Sequence, residues 1–172
     1  MTVSLTEQAI ADSFKRLKGR KGTYALLVQV NQSIRINIGK LGQHRFVPGI
    51  YIYAGSAMGT TSTSLGHRLR RHFSKSKKKH WHVDYLLSDP GTRVLGALWA
   101  ESKKSVECGL ASALRDSHVF EAGPAGFGAS DCRAGCGTHL FRYAGNDGLG
   151  SIRVAIQREL QDFGALNFLQ NW

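Results

Sequence analysis

The chain has 172 residues, of which 42% are hydrophobic, and this excludes disorder along the whole length while leaving room for one compact domain and an accessory element. Lysine and arginine number 23 against 12 acidic residues, so the formal net charge is +11 and the isoelectric point is near 10.0. This excess favours a polyanionic partner, with nucleic acid ahead of an anionic membrane.

The sequence contains no apolar run near the ~20 residues that cross a bilayer, and no basic leader followed by an apolar stretch. We therefore expect a soluble, cytoplasmic protein with no membrane partner. Three cysteines without a secretory signal argue against a disulfide framework.

Hydrophobic periodicity predicts alternating helices and strands along the chain. The first helix begins at the capping-box pair Ser4 and Glu7 and ends at Gly19. The predicted strands are 22–30, 34–38, 50–56, 93–100 and 139–143. The later predicted helices are 60–73, 105–114 and 152–164.

The connections between these elements indicate the fold class. A polar turn at 31–33 predicts that the first two strands form a hairpin, and 122–138 is a glycine-rich loop without a period. Strands interleaved with helices, with early hairpin connections, favour an α+β fold. We expect a small, largely antiparallel sheet flanked by helices.

Five residues with compatible chemistry fall where these elements meet. Arg68 and His72 are one turn apart on the flank of a helix, beside its buried stripe. Tyr53 ends the preceding strand, and Gly55 lets the chain turn with little bulk. Glu107 borders the apolar stripe of a later helix, which places its carboxylate near a sheet edge.

In order and spacing, these residues resemble the GIY-YIG nuclease superfamily. Gly22-Thr23-Tyr24 looks like its first triplet and Tyr53-Ala54-Gly55 like its second. Arg68 and His72 match its R-x-x-x-H helix, and Glu107 is similar to its single metal-binding glutamate.

The segment Gly49-Ile50-Tyr51 spells the first triplet by coincidence, because Tyr51 and Tyr53 lie on one predicted strand. The chain departs from compact members of the superfamily by a long insertion between Tyr24 and Tyr53. A branch of the superfamily found alone or fused to DNA-repair glycosylases is similar over most of residues 21–143, so DNA-repair partners are expected.

The resemblance implies a domain division and an activity. The division is an N-terminal helix at 1–20, a GIY-YIG-like catalytic domain at 21–143 with an inserted hairpin segment, and a C-terminal helical extension at 144–172. The activity is that of an endonuclease that hydrolyses phosphodiesters, in DNA rather than RNA, with Mg²⁺ or Mn²⁺ held by Glu107.

The resemblance also implies roles for the catalytic residues. Arg68 supplies a fixed positive charge to the phosphate. Tyr24 activates or aligns the attacking water, and Tyr53 is its hydrogen-bonding partner. His72 relays a proton or holds the phosphate.

A basic stretch after the second triplet is the expected nucleic-acid surface. Its cations are numerous enough for binding to weaken with salt at a slope of roughly −3. Trp81 is available to stack on an exposed base. The expected contacts are Arg70, Arg71, Lys75, Lys77, Lys78, Lys79 and Trp81.

Two alternatives remain open from the sequence. The first is a non-catalytic nucleic-acid-binding module of the same fold, in which Glu107 is structural. The second is an interaction domain held by zinc on Cys132, Cys136 and His139, with Cys108 or Asp131 as fourth ligand. The same cysteines are also compatible with reduced, partly buried thiols.

Overall fold

The computed structural model describes residues 7–160 and 167–170. The α-helices in these ranges are α1 (Glu7–Arg16), α2 (Leu65–Phe73), α3 (His82–Leu87), α4 (Glu107–Asp116) and α5 (Leu149–Leu160). The strands are β1 (Gly22–Val30), β2 (Ile34–Asn37), β3 (Gln43–Phe46), β4 (Gly49–Ala57), β5 (Thr92–Glu101), β6 (Phe120–Ala122), β7 (Leu140–Tyr143) and β8 (Asn167–Gln170).

Six strands form one antiparallel sheet in the order β6-β7-β4-β1-β5-β8. Strands β2 and β3 pair separately as a two-stranded hairpin. The predicted α+β fold is therefore confirmed, with an antiparallel sheet, flanking helices, an inserted hairpin segment and a C-terminal helix.

Strand β1 lies near the middle of the sheet because its side chains are apolar on both faces. Tyr24 and Leu26 face a core shared with α1, α2 and α3, whereas Ala25 and Leu27 face a core shared with α4 and α5. Its burial on both faces is what a near-continuous apolar run predicts.

The predicted pairing of 22–30 with 34–38 is wrong. Strand β1 pairs along its whole length with β4 and β5, which leaves no edge for β2. Strand β2 pairs instead with β3, which lies between the predicted strands 34–38 and 50–56. The alternation of Ile34 and Ile36 identifies a strand correctly, but it does not specify the partner.

Besides β3, the short elements α3, β6 and β8 are absent from the predictions. Strand β8 pairs with β5, so the segment after residue 143 contributes a strand as well as α5. The predicted cap at Ser4 and the predicted helix end at Gly164 lie outside the described residues. Within the described ranges, every helix is too short or too polar to cross a bilayer.

Candidate functional site

The two tyrosines of the predicted triplets lie on neighbouring strands and on the same face. The register of β1 and β4 places Tyr24 opposite Gly55 and Leu26 opposite Tyr53, and the two phenol rings are 6.5 Å apart between centroids. Tyr51 shares this face of β4 but lies one pair further along, where its hydroxyl donates to the carbonyl of Val47 at 3.0 Å.

Gly55 makes room for the Tyr24 ring. A Cβ atom at position 55 would lie 2.5 Å from Cζ and 2.6 Å from the hydroxyl of Tyr24, closer than real Cβ contacts allow. Tyr24 is 1% exposed, so the surrounding core leaves its ring little room to move aside. A side chain at this position would therefore displace the tyrosine.

His72, on the last turn of α2, is the partner of Tyr24. Its Nε2 atom lies 2.7 Å from the Tyr24 hydroxyl, so the expected hydrogen bond between Tyr24 and Tyr53 is corrected to one between Tyr24 and His72. Burial, followed by the charge of Lys77, lowers the pKa of His72 to about 3. The ring is therefore neutral at physiological pH, and one of its nitrogens can accept a hydrogen bond.

The Tyr24 phenol is protonated in this environment. Burial raises its pKa to about 12, although the nearby Arg68 guanidinium acts in the opposite direction. Burial also raises the pKa of Tyr53 well above its usual value, with smaller contributions from Tyr24 and Glu107. Both phenols therefore act as neutral hydrogen-bonding groups.

Arg68 is the cation of α2 that faces the tyrosines. Its Cζ atom lies 4.4 Å from the centre of the Trp81 ring, and its electrostatic effect reaches both Tyr24 and Tyr53. Among the described residues its guanidinium forms no ion pair, and its buried Nε atom has no acceptor. Within the ranges that the structure describes, the Arg68 guanidinium therefore has hydrogen-bond donors but no carboxylate to pair with.

Arg71, one turn further, has an internal partner. Its guanidinium donates to Oδ2 of Asp84 at 2.7 Å and to the carbonyl of Lys78. Asp84 is fully buried, and the same oxygen accepts the backbone N–H groups of His80 and Trp81 at 2.9 Å each. Although burial acts to raise the pKa of Asp84, these hydrogen bonds hold it below its usual value.

Asp84 organises the segment between α2 and α3, residues 74–81, which we call the basic loop. The sequence prediction missed this residue, since nothing in a lone aspartate beside Val83 and Tyr85 marks it as buried. Its spacing to Trp81, as the third residue of a helix, was a usable signal, because that is where a capping carboxylate lies.

Several cations predicted to contact nucleic acid also have internal partners. Lys75 donates to the carbonyl of Thr92 at 2.5 Å, and Lys77 donates to that of His72 at 3.1 Å. Burial lowers the pKa of Lys77 to about 8. Lys78 and Lys79 are exposed on the basic loop.

The remaining predicted contacts, Arg70 and Trp81, also have different surroundings from those expected. Arg70 lines a groove between α1 and α2, away from the tyrosines. Trp81 is half-buried beside His72, with the guanidinium of Arg68 at 4.4 Å and that of Arg71 at 4.9 Å from its ring centre. Two guanidinium groups therefore lie over the ring, and its stacking on a base stays a prediction.

Glu107 is the first residue of α4, and β1 positions that end of the helix. The backbone N–H of Val106 donates to Oγ1 of Thr23 at 3.1 Å, next to Tyr24 in the strand. Burial is the main cause of the raised pKa of Tyr24 and of Tyr53, and the charge of Glu107 adds to it, so its carboxylate acts on the two phenols. Glu107 is half-exposed, and no ion pair of the described residues includes it.

Cys108, which follows Glu107, belongs to a second group of side chains. Its ligand atom and those of Cys132, Cys136 and His139 all lie within 4.8 Å of one another, so these four residues can hold a metal ion. In the described part of the chain no other group of three or more such residues is brought together. Of the two expected fourth ligands, the structure brings in Cys108 and leaves Asp131 outside.

Comparison with known proteins identifies a family but no activity. The family model described as "Domain of unknown function DUF123" matches residues 23–161, which includes both tyrosines, the α2 residues, Glu107 and the cysteine cluster. No curated protein and no solved structure matches the chain.

Proposed function

The chain belongs to the DUF123 family, and we propose that it is an endonuclease that hydrolyses nucleic-acid phosphodiesters, DNA in preference to RNA, with Mg²⁺ or Mn²⁺. The observation that supports this proposal most is the convergence of four residue types from four elements, β1, β4, α2 and α4. Tyr24 and Tyr53 come from adjacent strands, and His72 and Arg68 from α2, while the charge of Glu107 acts on both phenols. The resemblance to GIY-YIG nucleases rests on the same residues.

Arg68 is suited to bind the reacting phosphate. It carries a permanent charge and a planar set of donors that match phosphate oxygens. Unlike Arg71, it has no carboxylate partner among the described residues, and a buried donor without an acceptor costs free energy. A phosphate oxygen at this position would satisfy Arg68 and receive charge stabilisation as the transition state forms.

Tyr24 and His72 are suited to position the attacking water. With the neutral ring protonated at Nδ1, Nε2 of His72 accepts a hydrogen bond from the Tyr24 hydroxyl, so the lone pairs of the phenol oxygen remain available to accept a hydrogen bond from water. A pKa of about 12 makes Tyr24 a weak source of phenolate at neutral pH. We therefore assign Tyr24 the alignment of the water, with His72 as the residue that fixes its hydroxyl.

A divalent cation fits Glu107. Mg²⁺ retains most of its water shell in proteins and takes one or two carboxylates together with phosphate oxygens. Glu107 offers a partly exposed carboxylate without an ion-pair partner in the described ranges, and its charge adds to the effect of burial on the pKa of both phenols. The chemistry that such an ion supplies is charge stabilisation at the phosphate and the leaving oxygen.

A second candidate function is favoured by the burial of the phenols. Tyr24 is 1% and Tyr53 7% exposed, as in a packed core, and this is compatible with a module that binds nucleic acid without cleaving it. In that case Tyr24 and His72 stabilise the fold, and Glu107 has a structural role.

The substitution Glu107→Gln distinguishes the two candidates, because it removes the charge and keeps the shape. For a nuclease we expect cleavage of labelled DNA in Mn²⁺ to fall by at least about a hundredfold, with binding by fluorescence anisotropy nearly unchanged. The matched control is Glu121→Gln on β6, which removes the carboxylate that pairs with Arg142 of β7. Wild-type binding without cleavage of DNA or RNA in either metal would support the non-catalytic module.

A further inference from the structure

A cluster of four ligand-type side chains lies on the face of the sheet opposite the tyrosines. Cys108 belongs to the first turn of α4, and the other three residues belong to 123–139, which we call the glycine loop and which joins β6 to β7. Sγ of Cys108 is 3.5 Å from Sγ of Cys132 and 4.0 Å from Nε2 of His139. Cys136 is buried, and its thiol donates to the carbonyl of Cys108 at 3.8 Å.

We propose that Cys108, Cys132, Cys136 and His139 bind one structural zinc ion. Tetrahedral zinc holds sulfur at about 2.3 Å and nitrogen at about 2.0 Å, which places neighbouring ligand atoms roughly 3.5 to 3.8 Å apart. The measured 3.5 and 4.0 Å distances bracket this range, and the full set lies within 4.8 Å. Small side-chain rotations therefore complete a tetrahedral Cys₃His site.

The glycine loop has a backbone that turns its ligands toward one point. Gly135 and Gly137 flank Cys136 with φ angles of +70° and +77°, a conformation that glycine adopts at little cost. Nothing lies within 4 Å of a Cβ built at either position, so close packing does not account for these glycines. Their role is conformational, since Gly135 sets the backbone between the second and third ligands and Gly137 between the third and fourth.

His139 provides the second observation that points to a ligand. The side chain is 1% exposed, its Nδ1 atom has no partner among the residues described, and its Nε2 atom faces sulfur. Burying a polar ring without a strong partner costs free energy, which coordination through Nε2 would recover. Asp131 is exposed and lies outside the cluster, so the fourth ligand is Cys108.

The cluster is less suited to a disulfide. The sulfur atoms of Cys108 and Cys132 are 3.5 Å apart, against about 2.05 Å in a bonded pair. A disulfide would also leave the third thiol and the buried imidazole facing the pair without a function. Three sulfurs and one ring nitrogen at comparable distances are the ligand set of a closed, structural zinc site.

The proposed zinc site would connect α4, which carries Glu107, to β4, which carries Tyr53. Cys108 follows Glu107 on α4, while the carbonyl of His139 accepts the backbone N–H of Ala54, next to Tyr53, at 2.9 Å. Gly128 of the same loop packs on Tyr53, where a Cβ would lie 2.7 Å from its ring. The ion would therefore fix α4 relative to β4, whether or not the protein cleaves nucleic acid.

Metal analysis of the purified full chain tests this proposal directly. We expect about one zinc per chain, and in the cobalt-substituted protein we expect the visible absorption of tetrahedral Co²⁺ with thiolate charge-transfer bands. Cys136→Ser should lose most of the metal, whereas Asp131→Asn, the matched control, should retain it. His139→Cys keeps four ligands, so it should retain zinc with a shifted cobalt spectrum.

Thermal unfolding keeps the test informative if Cys136→Ser does not fold. A strong chelator should lower the melting temperature of the wild type and of Asp131→Asn, because the folded state loses its bound ion. Glu107→Gln should retain zinc even where it loses cleavage, so failure of the nuclease proposal would leave this one standing. Wild-type protein with three freely reactive thiols and no stoichiometric zinc, or with a Cys108–Cys132 disulfide, would overturn it.

Discussion

At the scale of single residues, His72 brings a titratable ring into the core. It is 2% exposed, and its Nε2 atom is held by the Tyr24 hydroxyl. Its pKa is about 3 in the folded protein, against 6.5 for the free side chain. Below pH 6.5 His72 binds a proton in the unfolded chain but not in the folded chain. The free energy of unfolding therefore falls as the pH falls toward 3.

We predict that this residue contributes about 2 kcal/mol to the loss of stability between about pH 7 and pH 5. The substitution His72→Gln retains an acceptor for Tyr24 and removes the titration. Urea unfolding at the two pH values should therefore show a smaller loss in the variant. His82, whose pKa burial also lowers, titrates in both proteins, so the difference between them belongs to His72. Equal losses would mean that the ring titrates normally.

The predictable part of the site at this scale was the type and order of its residues. Arg68 and Arg71 look equivalent in the sequence, since both are arginines on the same basic helix. Only the structure distinguishes them, because Arg71 meets Asp84, thirteen positions away, and Arg68 does not. The partner of a long side chain depends on the turn between two elements, and residue spacing within one element carries no information about that turn.

At the scale of elements, the basic loop is held to α3 by one carboxylate. Oδ2 of Asp84 accepts from Arg71 at 2.7 Å and from two backbone N–H groups at 2.9 Å, with no exposure to solvent. Removing one partner of a buried pair leaves the other group without compensation. The position of Trp81, and with it the stacking of Arg68, depends on this carboxylate.

We predict that Asp84→Asn lowers the free energy of unfolding by about 2 to 4 kcal/mol. Arg71 retains partial contact with water, with 29% of its side chain exposed, which limits the cost. Equilibrium unfolding in urea measures the change. The matched control is Asp116→Asn, which breaks an exposed pair with Arg115 and should have no measurable effect. A similar small effect for Asp84→Asn would show that the basic loop is held by other contacts.

Long elements were predictable from the sequence, and short ones were not. Leu65, Leu69 and Phe73 recur at helical spacing, and α2 follows them from end to end. Strands β6 and β8 have three and four residues, too few for any period to be visible. The partner of β2 was also missed, because pairing depends on which edges other strands have already occupied. The choice of Cys108 or Asp131 as the fourth metal ligand was also open in the sequence, because it depends on which distant element meets the glycine loop.

At the scale of the whole molecule, the net charge of +11 overstates the charge available to a polyanion. Arg71, Lys75 and Lys77 each have an internal acceptor, and Arg70 lines the groove beside α1. Lys75, Lys78 and Lys79 are the exposed cations of the basic loop, and of these Lys75 donates to the carbonyl of Thr92. A slope of roughly −3, expected if half of the basic stretch contacted phosphate, therefore has to include Arg68 and residues outside this loop.

The salt dependence of DNA binding tests this distribution of charge. Removing one lysine that binds a phosphate should reduce the slope of log affinity against log salt by about 0.9, so we predict a reduction of up to about 2 for the double substitution Lys78→Ala and Lys79→Ala. The charge-matched control is Lys15→Ala with Lys18→Ala, on and just after α1, which should leave the slope unchanged. Fluorescence anisotropy at several salt concentrations measures both. A localised interface depends on where the charges lie, whereas a diffuse one depends only on how many there are. If the two double variants reduce the slope equally, binding therefore follows the total charge of the protein, and the basic loop has no special role.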